Sequence, residues 1–288
     1  MAARRSADPH DLAARIRGGL GALKLKHAAA RFEELLANPE GEQSRLEWLW
    51  SLLEPQVCQR VEARVERRIR ESKLPGRKTL EAFDFSFQPA LDEDLILELG
   101  TLAFLDQGKN ILLAGMSGTG KSHIAKALAL NACRANRRVR YTTSEAMLGA
   151  LSASLVTDTL TKDLKAYTRP DLLVIDEVGL EQVEQPVAKR SGLMQKVLIP
   201  RYEPPRSTII TSNIPWDAWG DYLDDHLGAT ALIDRLLHHS HVIVIDGPSY
   251  REHSHKQEVE QSHERRSAAK KSRSRAAKKT PSNEKKRS

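Results

Sequence analysis

The sequence predicts an α/β fold whose parallel five-stranded sheet is flanked by helices, with a small all-helical domain before it and a disordered basic tail after it. Three observations support this. Only helical periodicity is found before residue 78, short apolar segments then alternate with amphipathic helical segments, and the last residues have no periodicity. The predicted domains are residues 1–78, 79–252 and 253–288.

The N-terminal region is predicted to be helical from residue 11 to residue 74. Asn38-Pro39-Glu40-Gly41 is a stop signal, after which one helix is expected over Ser44–Leu53 and another over Val57–Leu74. Side chains four residues apart share a face, so the last helix carries an apolar stripe beside a basic stripe. The basic stripe consists of Arg60, Arg64, Arg67 and Arg68. Pro75-Gly76 ends this helix.

The segment Thr79–Pro89 is rich in aromatic residues and has no helical period, so we expect a linker that packs against the following domain. In that domain, short apolar runs bounded by polar residues predict strands. These are Asn110–Ala114, Val139–Thr142, Asp171–Ile175, Thr208–Thr211 and Val242–Ile245. Their alternation with helices predicts a parallel sheet covered on both faces.

Charge is distributed unevenly along the 288-residue chain. The formal net charge is +7, but residues 256–288 alone hold 12 Lys or Arg against 4 Asp or Glu. The two cysteines, Cys58 and Cys133, form neither a metal motif nor a disulfide framework. Because no apolar run resembles a secretory signal or a membrane span, we expect a cytoplasmic protein without membrane contact.

A phosphate-binding loop is predicted directly after the first strand. The pattern G-x-x-x-x-G-K-[ST] is matched by Gly115, Met116, Ser117, Gly118, Thr119, Gly120, Lys121 and Ser122. Backbone N–H groups and the start of the following helix favour bound phosphate. We expect Lys121 to reach the β- and γ-phosphates and Ser122 to ligate Mg²⁺. A chance match is the alternative, and the flanking strand and helix argue against it.

An acidic pair ends the third predicted strand. We expect Asp176 to hold Mg²⁺ through water and Glu177 to polarise an attacking water. The pair could instead cap a helix. A kinase has little need of a water-activating carboxylate here, so the pair favours hydrolysis of the nucleotide.

Two further residues are candidates for the same site. Asn213 follows the fourth predicted strand, where its amide could orient the lytic water; it also fits a turn signal in Asn-Ile-Pro. Arg235 lies on a predicted helix. Alone it would be an ordinary surface arginine, but after the preceding motifs it becomes a candidate arginine finger.

Together, GMSGTGKSHIA, LLVIDEVG, STIITSN and ALIDRLLHHSHVI resemble the IstB-like ATP-binding proteins of insertion sequences, from about Leu20 to Arg251. These are AAA+ proteins related to the helicase loader DnaC and to the initiator DnaA. The resemblance implies that Asp176 and Glu177 are the Walker B pair and that Asn213 is sensor 1. It also implies that Arg235 reaches the γ-phosphate of a neighbouring subunit. Arg251 falls where a sensor 2 arginine is expected.

The resemblance further implies function. Such proteins bind ATP with Mg²⁺, bind double-stranded DNA without sequence preference, assemble on it as homo-oligomers and recruit or activate a partner transposase. Two departures from the family are the prolines of Val197–Pro205, which leave a helix end uncertain, and the basic tail. The tail and the basic stripe are the two candidate DNA contacts; the tail could also aid solubility, and the stripe could be a solvated face.

Two other functions stay open at this stage. A replicative helicase loader of the DnaC kind would have the same phosphate loop and a different partner. A DNA-binding scaffold with a nucleotide site that does not turn over belongs to another class, and the complete set of candidate catalytic residues argues against it.

Overall fold

A single parallel sheet forms the centre of the α/β region. The computed structural model describes residues 9–37, 45–180, 190–223 and 225–254, and five strands lie within these ranges. They are β1 (Asn110–Gly115), β2 (Val139–Thr143), β3 (Leu172–Val178), β4 (Ser207–Ser212) and β5 (Ser240–Ile245). The order is β2-β3-β4-β1-β5 with all pairs parallel, which confirms the predicted sheet; β3 extends through the acidic pair.

Helices cover both faces of this sheet. In chain order they are α4 (Glu93–Gly100), α5 (Ala103–Asp106), α6 (Lys121–Arg134), α7 (Ser144–Val156), α8 (Leu160–Thr168), α9 (Arg190–Tyr202), α10 (Trp219–Leu223) and α11 (His226–His238). Ile111 and Leu113 of β1 pack with α4 and α6, whereas Leu112 packs with α7 and α9. Because both faces are buried, the strands are continuous apolar runs.

The N-terminal helices have a small core of their own. They are α1 (Pro9–Ala22), α2 (Lys26–Ala37) and α3 (Arg45–Ser72). Phe32 and Leu52 are buried there, and the ring of Phe32 meets that of Trp48 edge to face at 6.3 Å between centroids. This confirms an all-helical N-terminal region.

One helix replaces the two predicted between residues 44 and 74. A proline inside a helix removes one hydrogen bond and usually kinks or breaks the helix, yet α3 continues through Pro55. Both halves of α3 are anchored by burial, Leu52 in the N-terminal core and Ile69 against the core of the sheet. The prediction of two separate helices over Ser44–Leu53 and Val57–Leu74 was therefore wrong. Since α3 contributes to both cores, the domain boundary near residue 78 stays a prediction.

Other expectations are settled only in part. Helix α9 runs through Pro200 and ends at Tyr202, within the segment whose helix end was uncertain. The stop signal over residues 38–41 and residues 255–288 of the tail lie outside the described residues.

Across the described ranges, no helix has the length and apolar character that crossing a bilayer requires.

A buried guanidinium joins the amino end of β4 to the end of α8. Arg201 is 2 % exposed, and it donates hydrogen bonds to the carbonyl oxygens of Tyr167, Pro170 and Ser207 at 2.9, 2.9 and 2.6 Å. Its Nε also donates to the Thr208 hydroxyl at 3.0 Å. Burial lowers the pKa of Arg201 to about 9, so the side chain is still charged at neutral pH.

Replacing this arginine should therefore destabilise the domain. We expect Arg201→Ala to lower the free energy of unfolding by about 3 kcal/mol, because it leaves a cavity and several buried carbonyl oxygens without donors. Urea unfolding measures the change. Arg169→Ala, at an exposed arginine of the same region, is the control and should change stability by less than about 0.5 kcal/mol. Equal effects of the two substitutions would contradict this role of Arg201.

Candidate functional site

The phosphate loop connects β1 to α6 at the carboxyl edge of the sheet. Gly118 and Gly120 have φ of 83° and 103°, a region that side chains other than glycine rarely adopt. A Cβ atom on Gly120 would also lie 2.6 Å from the ring of Phe83. The loop conformation and its close packing therefore require glycine, as the motif predicts.

Lys121 lies at the start of α6 with its side chain folded over the loop. Its ammonium group donates to the carbonyl oxygens of Gly115 and Met116 at 2.7 and 2.6 Å. Burial lowers the pKa of Lys121 to about 8; the nearby Asp176 opposes this shift, and Arg251 adds to it. This amine is thus held inside the site where an anionic ligand would stabilise its charge.

Ser122 and Asp176 meet beneath the loop. The Ser122 hydroxyl donates to Oδ1 of Asp176 at 2.8 Å, and Asp176 is completely buried. Lys126 of α6 is the cation beside this carboxylate, with 3.8 Å between Nζ and Oδ2. The two predicted magnesium ligands therefore come from different elements and lie within hydrogen-bond distance.

An irregularity in β3 gives the side chains of Asp176 and Glu177 different surroundings. Ile175 pairs with Ile210 and Val178 pairs with Ser212, so that Asp176 and Glu177 together lie opposite one residue of β4. Glu177 has a φ of 66°, a conformation that costs free energy for a residue with a side chain. As a result Asp176 is buried, whereas Glu177 is half-buried and lines a cavity.

This cavity, about 340 Å³ in volume, brings most of the predicted residues together. Its lining includes Glu177, Asn213, Arg251 and the loop residues Ser117, Gly118, Thr119, Gly120, Lys121 and Ser122. Gly115 begins the loop, and Met116 is exposed at its tip. The roles of Asn213 and Arg251 stay predictions; both residues line the cavity.

Arg235 is located elsewhere. It is an exposed residue of α11, and it lines a second cavity with Asn110 and Thr208, which lie at the amino ends of β1 and β4. The phosphate loop follows the carboxyl end of β1, so Arg235 and the loop lie at opposite edges of the same sheet. Within one chain, Arg235 does not contribute to the nucleotide cavity.

Aromatic residues that were not predicted as part of the site line the rest of the cavity, and they come from two chain segments. Ala82, Phe83 and Phe87 line the cavity from one side, and Tyr250 lines it from the other. The Phe87 and Tyr250 rings are perpendicular at 5.1 Å between centroids. The signal for the first segment was its dense aromatic composition before the phosphate loop, without a helical period.

His123 explains how the first segment is attached. Its Nε2 lies 2.8 Å from the carbonyl oxygen of Thr79, and its ring contacts that of Phe83 at 5.3 Å between centroids. His123, the residue after the phosphate motif, therefore holds the linker against α6.

The fold and the loop define the class of protein. A phosphate loop followed by an acidic pair, on a parallel sheet of order β2-β3-β4-β1-β5, is the arrangement of an AAA+ P-loop NTPase. The family model of the IstB-like ATP-binding proteins matches residues 18–258. The chain belongs to this family.

Two relatives from insertion sequences agree with this assignment. The chain is 35 % identical over 233 residues to the insertion sequence IS21 ATP-binding protein of Pseudomonas aeruginosa, covering 81 % of this chain and 86 % of that protein. It is 36 % identical over 205 residues to the IS5376 ATP-binding protein of Geobacillus stearothermophilus, with 71 % and 80 % covered. AMPPCP-bound DnaA from Aquifex aeolicus is a structural neighbour at TM-score 0.49 and 21 % identity, with 66 % of this chain and 56 % of that chain covered.

The lowered pKa of Lys121 makes ATP affinity depend on pH. Below about pH 8 the Lys121 amine of the nucleotide-free protein is already protonated. Above about pH 8 this amine must take up a proton when ATP binds, so the affinity for ATP should fall by up to about 10-fold per pH unit. Titration with a fluorescent ATP analogue between about pH 7 and about pH 10 measures this. Lys121→Met should bind weakly with a flatter pH dependence, and a wild-type affinity independent of pH would contradict the prediction.

Proposed function

We propose that this protein is an ATP-hydrolysing regulator of DNA transposition. It binds ATP with Mg²⁺, assembles on double-stranded DNA without sequence preference, and recruits or activates a partner transposase. The observation that carries the proposal is the shared cavity, in which Glu177 and Asn213 face the same space as Lys121 and Ser122. The insertion-sequence relatives support transposition as the process that the ATPase serves.

The donor set fits magnesium. Mg²⁺ prefers oxygen ligands, and the Ser122 hydroxyl and Asp176 carboxylate supply them 2.8 Å apart. The other ligands of Mg²⁺ would be oxygen atoms of phosphate and water. When bound, Mg²⁺ would offset charge on the β- and γ-phosphates.

Each remaining residue has a distinct role in hydrolysis. Lys121 would exchange its bonds to the Gly115 and Met116 carbonyls for bonds to phosphate oxygens. Glu177 would accept a proton from the attacking water, and the Asn213 amide would orient that water. Arg251, in the same cavity, would add a positive charge beside the phosphates.

The position of Arg235 supports completion of the site by a second copy. An arginine finger must reach the γ-phosphate, and Arg235 is exposed at the far edge of its own sheet. We infer that it enters the cavity of a neighbouring subunit, so that ATP binding and oligomer formation are coupled.

DNA contact is proposed at two places. In the basic stripe of α3, Arg60 and Arg64 are exposed. Arg68 instead donates a hydrogen bond from Nε to Oδ1 of Asn136 at 3.0 Å, and its guanidinium forms an ion pair with the Glu71 carboxylate at 3.7 Å. Lysine and arginine of the tail add sequence-independent attraction to phosphate. Contacts of lysine and arginine with phosphate carry no sequence information, so we expect binding without sequence preference.

A helicase loader of the DnaC kind is the second candidate, and it has the same nucleotide chemistry. Binding of the purified protein to the transposase or helicase encoded beside its gene separates the two. A scaffold that never turns ATP over is tested by an ATPase assay with and without duplex DNA. If no ATP is hydrolysed either with or without duplex DNA, the proposed enzyme activity is overturned.

Glu177→Gln should trap the assembled state. The amide keeps the shape of the side chain but cannot take a proton, so hydrolysis should fall by about 10²-fold or more while ATP binding is retained. Sedimentation with ATP and duplex DNA should show a long-lived oligomer on DNA, which disassembles in the wild type. A variant that hydrolyses ATP at the wild-type rate would exclude Glu177 as the base.

Arg235→Ala should lose about 10³-fold or more in hydrolysis while retaining ATP affinity, if the arginine completes a neighbour's site. Mixing this variant with Glu177→Gln gives a sharper test, because each supplies the residue that the other lacks. Mixed oligomers should regain part of the wild-type rate. Two inactive variants that stay inactive when mixed, or an Arg235→Ala protein with normal activity, would contradict the assignment in trans.

A further inference from the structure

The buried carboxylate of Asp176 receives a hydroxyl group from each strand that flanks β3. Tyr141 of β2 donates its phenolic hydrogen to Oδ2, and Thr211 of β4 donates to Oδ1 at 2.5 Å. Tyr141 and Thr211 are themselves buried. Both carboxylate oxygens are thus fixed by side chains on the rigid sheet.

Thr211 also contacts the second acidic residue. Its hydroxyl oxygen accepts a hydrogen bond from the backbone N–H of Glu177 at 2.8 Å. The irregularity in β3 disrupts the ladder at this point, and a hydroxyl can donate one hydrogen bond while it accepts another. One side chain therefore connects the carboxylate of Asp176 to the backbone that directs Glu177.

The Tyr141 hydroxyl is the donor in its contact with Asp176, because the phenol carries the one hydrogen and a carboxylate oxygen accepts. The ammonium group of Lys126 lies 5.5 Å from the centre of the Tyr141 ring and 3.8 Å from Asp176. Tyr141 can thus hold the carboxylate in one orientation without adding negative charge.

We propose that Thr211 and Tyr141 are positioning residues of the ATPase site, forming a hydroxyl clamp that directs Asp176 toward Mg²⁺ and Glu177 toward the lytic water. The inference rests on the proposed function. It adds two residues that belong neither to the phosphate loop, nor to the acidic pair, nor to the sensor positions. Groups that orient metal ligands typically change metal affinity or activity by about 10- to 100-fold when they are removed.

Thr211→Val keeps the shape of the side chain and removes both hydrogen bonds. The informative quantity is the ratio of ATP affinity with Mg²⁺ to ATP affinity without it, measured by calorimetry on the full-length protein. We expect this ratio to fall by about 10-fold or more, with affinity for metal-free ATP unchanged because Lys121 and the loop are intact. The kcat for hydrolysis should fall together with this ratio.

The chain offers matched controls. Thr208→Val removes an equally buried hydroxyl from the amino end of β4, so it lowers stability without touching the site. Thr211→Ser restores the hydroxyl and should restore the ratio. Tyr141→Phe should change the ratio in the same direction as Thr211→Val, whereas Tyr167→Phe, at a buried tyrosine of α8, should leave it unchanged.

The possible outcomes separate the clamp from the proposed function. If Thr211→Val keeps the wild-type response to Mg²⁺, or matches Thr208→Val, the clamp is overturned and the ATPase assignment is unaffected. If the wild-type affinity for ATP does not respond to Mg²⁺ at all, the magnesium assignment fails first, and the clamp fails with it. A response that is lost in Thr211→Val and regained in Thr211→Ser supports the clamp.

Discussion

The buried Asp176 carboxylate is the constraint around which the other parts of the nucleotide site are arranged. A charged group without exposed surface must be compensated, and here the Ser122 hydroxyl at 2.8 Å and the Lys126 ammonium at 3.8 Å do so from α6. These contacts fix the start of α6 relative to the end of β3. Because the phosphate loop ends where α6 begins, the position of Lys121 also depends on that carboxylate.

Chain segments that come before and after the α/β region in sequence close over the loop. Thr79 and Phe83 come from the linker after α3 and contact His123, while Tyr250, near the end of the described chain, donates its N–H to the carbonyl oxygen of Gly118 at 3.0 Å. Since α3 packs both on the sheet and in the N-terminal core, the nucleotide site and the N-terminal helices share a continuous set of contacts.

Much of the fold and of the nucleotide site could be predicted from local sequence. Apolar runs between turn residues determine the strands, and the glycines of the phosphate motif determine the backbone conformation of the loop. The strands, the loop and the position of Asp176 needed no tertiary information. The continuation of α3 through Pro55 was missed because burial on both sides of the proline outweighs its local cost. Thr211 and Tyr141 were missed because no spacing marks them; their contacts with Asp176 exist only once β2 and β4 lie beside β3.

If Arg235 completes a neighbour's site as proposed, its location at the sheet edge opposite the loop also determines the symmetry of the assembly. A contact between two different surfaces repeats head to tail, so a row of such subunits has two unlike ends. One end presents a nucleotide cavity without a neighbour's arginine, and the other presents an arginine without a cavity. An open oligomer would thus be polar, with hydrolysis impaired at one terminal subunit, and on DNA it would have a direction even without reading a base.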